Sequence, residues 1–111
     1  MSLLFTSPPP KFSKKEILIL LKNEYSIDGM ISSCESDRDQ NFLLTTNDGK
    51  YLFKIYNNHE NLDTIKMQRS LIKFLIRSNF QYQIPKPFGN IGEILKDDLV
   101  YYSSMLSLIH I

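Results

Sequence analysis

Apolar positions recur at helical spacing in two segments of the chain and follow strand-like runs in five others. From Lys14 to Tyr25, Ile17, Leu20 and Leu21 form one apolar stripe that Leu18 and Ile19 widen, which predicts a helix packed on a sheet. Ser13 and Glu16 open it as a capping box: the hydroxyl accepts from the Glu16 N–H and the carboxylate reaches back. Met30–Cys34, Asn41–Thr46 and Lys50–Tyr56 read as strands. The link Asn47-Asp48-Gly49-Lys50 has Asp-Gly at its centre, a composition that tolerates positive φ in a tight hairpin. After a polar stretch, Leu62, Ile65, Ile72 and Leu75, with Met67, Leu71 and Phe74 alongside, give a second helix a broad apolar face. Asn58 or Asn61 caps it, and it ends near Arg77 or Ser78, before Pro85 and Pro87 force extended backbone on the residues preceding them. Ile91–Leu95 and Leu99–Met105 flank Lys96-Asp97-Asp98 and read as a second hairpin. The order helix, three strands, helix, two strands predicts an α+β domain with a five-stranded antiparallel sheet.

Composition narrows the function classes. With 111 residues, 42% of them hydrophobic and 23% charged, the chain is sized for one core. The net charge is +1 with no basic block, which argues against a nucleic-acid partner. Cys34 is the only cysteine, so an intramolecular disulfide and a cysteine-rich metal site are both excluded; a reducing cytoplasm is the expected location, with Cys34 an ordinary strand residue. No apolar run reaches membrane-spanning length, so no membrane partner is expected, and the apolar start is cut by Pro8, Pro9 and Pro10, unlike a signal peptide. Residues 1–12 are read as an extended arm and residues 13–111 as the folded domain.

Lys54 is the residue that needs explaining. Side chains alternate along a strand, so Leu52, Lys54 and Tyr56 share one face, and Tyr51, Phe53 and Ile55 share the other. Both faces carry large apolar groups. A lysine there either extends its ammonium to water or meets an anion, because an unpaired buried charge is costly. An edge lysine with a solvated tip is the plain alternative.

The surrounding motifs bear on that choice. SDRDQNF (36–42) is followed by YLFKIYN (51–57), the helical DTIKMQRSLIKFL (63–75) and QIPKPFGN (83–90). This ordered set resembles the start of the aminoglycoside phosphotransferase-like small-molecule kinases, in the branch with hydroxylysine kinase, homoserine kinase-like proteins and phosphotransferase domains fused to aminotransferases. In that branch the first run has Glu where Asp37 stands here. The resemblance spans roughly Glu16 to Leu106 and implies a kinase-type N-terminal lobe. It implies that Ser36, Asp37, Arg38 and Asn41 belong to the turn over the triphosphate, that Lys54 contacts the α- and β-phosphates, and that Leu43 and Leu52 lie above the adenine ring. The turn lacks the glycines through which protein kinases bring backbone N–H groups to phosphates, so its side chains either do part of that work or shape the turn locally. Gln68 stands where many kinases have the glutamate that orients the strand lysine; an ordinary exposed helix residue is the alternative reading.

The same resemblance implies ATP and Mg²⁺ as cofactors of the intact protein, with neither expected on the chain alone. Catalysis would need an His-x-Asp-type loop and metal-binding Asn and Asp residues from a C-terminal lobe; His59 and His110 open no such motif. No catalytic or metal-binding residue is therefore assigned here. The expected partners are that lobe and a small amino- or hydroxyl-containing substrate, with self-association expected through apolar surface around Leu99 to Ile111. A pseudokinase remnant, or a protein-interaction module using some of its six Tyr and seven Phe, is the competing reading.

Overall fold

The computed structural model describes residues 10–34, 39–77 and 86–110. Ser36, Asp37, Arg38, the first two prolines of the arm and Pro85 lie outside the described residues. The elements in chain order are α1 (Lys14–Tyr25), β1 (Met30–Cys34), β2 (Gln40–Thr46), β3 (Gly49–Ile55), α2 (Leu62–Arg77), β4 (Lys86–Lys96) and β5 (Leu99–His110). They form an α+β fold with one five-stranded antiparallel sheet, ordered β1-β2-β3-β5-β4.

One sheet face and α1 enclose the main core. Phe42, Leu44, Tyr51, Phe53, Ile55 and Met105 project from the sheet and meet Ile17 and Leu21 of α1. Leu18 and Leu20 flank this contact, whereas Ile19 is exposed and lies outside it. Tyr25 packs edge-on against Phe53 and Phe88, which ties the end of α1 to both hairpins.

Capping chemistry bounds α1 as its sequence predicts. The Glu16 N–H donates to Ser13 Oγ at 3.1 Å and the Ser13 N–H donates to Glu16 Oε1 at 2.9 Å, while Ser26 ends the helix at a left-handed φ of 55°. Lys96 joins this cap from the far hairpin, donating to Glu16 Oε1 at 2.9 Å and to the Lys11 carbonyl at 2.8 Å, with its ammonium over the Phe12 ring. The Ser13 backbone N–H first, and Lys96 second, hold Glu16 below its usual carboxylate range. Its contribution is therefore present above the unfolded-state pKa and is lost as pH falls through the lower folded value. Thermal melts between about pH 5 and 3 should show a decline that is shallower in Glu16→Gln, and Ser13→Ala should cost about 1 kcal/mol. Identical pH profiles for wild type and Glu16→Gln would assign the acid sensitivity to other carboxylates.

The turns differ in detail from the sequence expectation. The first hairpin turns at Asn47 and Asp48, with Gly49 already paired to Thr46 at φ 151°. The Thr46 hydroxyl accepts from the N–H groups of Asp48 and Gly49, and that side-chain clasp moves the turn one residue earlier. The second hairpin turns at Asp97 and Asp98, whose φ values of 51° and 63° suit short polar side chains in a tight antiparallel link. Both of its strands outrun the apolar alternation. β4 admits Pro87 because it is an edge strand, and it bulges between Phe88 and Gly92, where Gly89 takes φ 71°.

β5 lies between β3 and β4 and is an interior strand. Ser103, Ser104, Met105 and Ser107 are buried, and among the described side chains of this strand the exposed large apolar residues are Leu99 and Val100 at its tip. The apolar face of α2 is likewise narrower than its sequence implies. Ile65 is buried and Leu62 and Ile72 partly so, while Met67, Leu71 and Phe74 are exposed; Leu75 lies outside the described side chains. Among the described residues no helix is long and apolar enough to cross a membrane.

Candidate functional site

Antiparallel register sorts the sheet into transverse rows. Phe42, Phe53 and Met105 align on the core face, and the next row toward the β2–β3 turn, Leu43, Leu52 and Leu106, lies on the opposite face. On that opposite face, two residues further along, Asn41, Lys54 and Ser104 align. The two rows are therefore separated by about 7 Å, twice the rise per residue. All three leucines are partly buried, forming an apolar strip beside the lysine.

Two neighbours of different chemistry hold Lys54. Its Nζ lies 3.5 Å from Asp39 Oδ2, with side-chain exposures of 33% for the lysine and 16% for the aspartate. The ammonium also lies 5.2 Å from the centre of the Tyr56 ring, within cation–π range. Tyr56 in turn hydrogen-bonds through its hydroxyl to Ser104 Oγ at 3.2 Å. The aliphatic stem is thus packed while the charge sits at the protein boundary.

Asp39 stands on a rigid base. Its Oδ1 accepts the Asn57 N–H at 2.9 Å, and Asn57 is fully buried. Asn57 Oδ1 accepts the His59 N–H, and its carbonyl accepts the Glu60 N–H, so the polar link after β3 folds around this one residue. On the other side of Asp39, the Gln40 side chain accepts from the Phe12 N–H at 2.8 Å and donates to the Phe12 carbonyl at 2.7 Å, clasping the arm. Asp39 and Gln40 are thus each tied through their side chains to a distant segment of the chain.

The sequence-predicted residues divide accordingly. Asn41, Leu43, Leu52 and Lys54 share one face, and Asn41 Oδ1 is buried with no hydrogen-bond partner beside the lysine row. Ser36, Asp37 and Arg38 lie outside the described residues. Gln68 is exposed on α2, and the anionic partner of Lys54 is Asp39. Asp39, Tyr56, Ser104 and Leu106 are members of the site that sequence reasoning missed. Carrying the alternation of β2 one residue back was a signal for Asp39, since position 39 then falls on the face of 41 and 43; its tie to Lys54 needed the β2–β3 register.

Two clefts lie away from Lys54. One, of about 520 Å³, is walled by Leu20, Tyr25, Phe88, Gly92 and Ser103, with Glu24 and Glu93 also lining it. Burial pushes the Tyr25 hydroxyl pKa up, against the opposing hydrogen bond to Ser103. Near this cleft Arg69 donates from Nη2 to the Gly89 carbonyl at 2.6 Å, while its Nη1 is buried without a partner. A second cleft of about 360 Å³, between α2 and β4, is lined by Leu62, Lys66, Ile91, Glu93 and Tyr102. On the Lys54 face itself Tyr56 and Ser104 are buried, and Tyr102, on the same face of β5, lines the cleft beside α2. Among the described residues there is no group of three or more metal-ligating side chains. Compared with known proteins, the chain matches no family model and no curated protein sequence.

Proposed function

We propose that the chain is the nucleotide-binding, kinase-type N-terminal lobe of an ATP-dependent phosphotransferase that acts on a small amino- or hydroxyl-bearing metabolite. The observation that carries this reading is the pairing of a partly buried lysine with an apolar strip one row away on the same face of the sheet. An ammonium supplies charge to phosphate oxygens, and a flat apolar strip suits the face of a purine, with the row spacing left for the ribose. Lys54 would bind and orient the α- and β-phosphates, and Leu43, Leu52 and Leu106 would cover the base. One sheet face makes only half of such a site. The second wall, the catalytic Asp, the Mg²⁺ ligands and the substrate contacts are assigned to a C-terminal lobe, so this chain by itself binds without turning over.

A specific observation favours a second reading, that of an interaction module. Met67, Leu71 and Phe74 recur along the exposed side of α2 at the spacing of helix-in-groove anchors. Titrating the isotopically labelled chain with ATP and Mg²⁺ separates the two. Resonance shifts are expected at Lys54, Asn41, Leu43, Leu52 and Leu106, with Met30 at the far sheet edge unmoved. An absence of shifts at Lys54 up to millimolar ATP would remove the nucleotide reading.

A further inference from the structure

We infer that Asp39 is an intramolecular competitor for the Lys54 ammonium, and that it makes the site select polyphosphates over a single phosphate; the inference rests on the nucleotide reading of that face. Before any ligand arrives, the Asp39 carboxylate already supplies a counter-charge to Lys54 at 3.5 Å. The carboxylate is held by the Asn57 N–H and backed by a fully buried residue, so it does not swing away at little cost. Its side-chain exposure of 16% also limits solvent screening of its charge. A phosphate reaching Lys54 therefore gains one ammonium and meets a fixed anion beside it.

That arrangement weighs differently on different ligands. Inorganic phosphate has only the contested lysine to gain, and the repulsion offsets most of that gain. A di- or triphosphate spreads its charge over further oxygens that need not lie beside Asp39, and a nucleoside adds contact with the Leu43–Leu52–Leu106 strip. Discrimination then comes from a repulsive element built into the site. Asp39→Asn removes the negative charge, keeps the shape, and leaves an oxygen to accept the Asn57 N–H.

Calorimetric titrations with inorganic phosphate, pyrophosphate and ATP, all without divalent cation, test this on the full chain. Asp39→Asn should tighten inorganic phosphate about tenfold, the factor that 1.4 kcal/mol represents, and ATP less, so that the preference for ATP narrows. In the Lys54→Met background the same substitution should bring a clearly smaller gain, because the contested group is gone. Weaker or unchanged phosphate and ATP binding by Asp39→Asn, with Lys54→Met still damaging, would make Asp39 a lysine-positioning residue and overturn the competition while leaving the nucleotide reading intact. Unchanged ATP binding by Lys54→Met would overturn both, as would the failure of wild type and Asp39→Asn alike to bind ATP at millimolar concentration. Asp39→Ser, which also keeps an acceptor for the Asn57 N–H, carries the same expectation; if both Asp39 variants unfold, the residue is structural and the competition is overturned.

Discussion

Replacing Lys54 with methionine is expected to weaken ATP binding about 100-fold while moving the melting temperature by no more than a few degrees. The two effects separate because they draw on different parts of the side chain. Methionine retains an apolar stem against Tyr56 and removes the ammonium, and charge-assisted contacts to phosphate are worth a few kcal/mol, with 1.4 kcal/mol per tenfold. The cost to folding is the loss of a partly exposed ion pair with Asp39, of the kind that contributes about 0–1 kcal/mol. Where the chain acts together with a catalytic lobe, kcat/KM should fall by roughly two orders of magnitude or more, since the phosphate charge is also stabilised during transfer. Calorimetry and thermal melts on the same samples check this. Near-normal ATP affinity, or a defect explained wholly by unfolding, would make Lys54 a structural residue with a solvated tip.

Phe53→Ala is expected to be the most damaging single truncation of the fold, at about 3–5 kcal/mol. Phe53 is fully buried at the centre of the sheet, aligned with Phe42 and Met105 on its neighbouring strands and capped by the Tyr25 ring at 6.1 Å. Its removal takes apolar area out of the core and leaves a cavity that flanking strands, held by their ladders, close only in part. At roughly 4–8 °C per kcal/mol for a domain approaching this size, the melting temperature should drop by more than about 12 °C. Phe74→Ala is the matched control: same chemistry, but 57% exposed on α2, and expected to cost less than about 1 kcal/mol. Urea denaturation of both variants measures the contrast, and equal losses would place the main core somewhere other than between α1 and the sheet.

Some of this architecture is readable from short stretches of chain. The Ser13/Glu16 capping box sets the start of α1, and Met30–Cys34 is a strand at the bounds its β-compatible run implies. The division of β3 into a core face with Tyr51, Phe53 and Ile55 and an opposite face with Leu52 and Lys54 follows from alternation alone. These features depend on residues within about one helical turn or one strand of each other, where backbone geometry enforces the period. Alternation tolerates a slip of two residues, however, and says nothing about strand order. Pairing across distant segments therefore decided that β5 enters the sheet between β3 and β4, burying Ser103, Ser104 and Ser107 despite their polarity. It also decided that Asp39 meets Lys54, because the tie between Asp39 and Asn57 forms only when the β2–β3 register is set. On α2 the apolar period marked the candidates, and the position of the neighbouring β4 selected among them. Ile65 is buried while Met67, Leu71 and Phe74 stay exposed, since a helix over a sheet edge covers one side only.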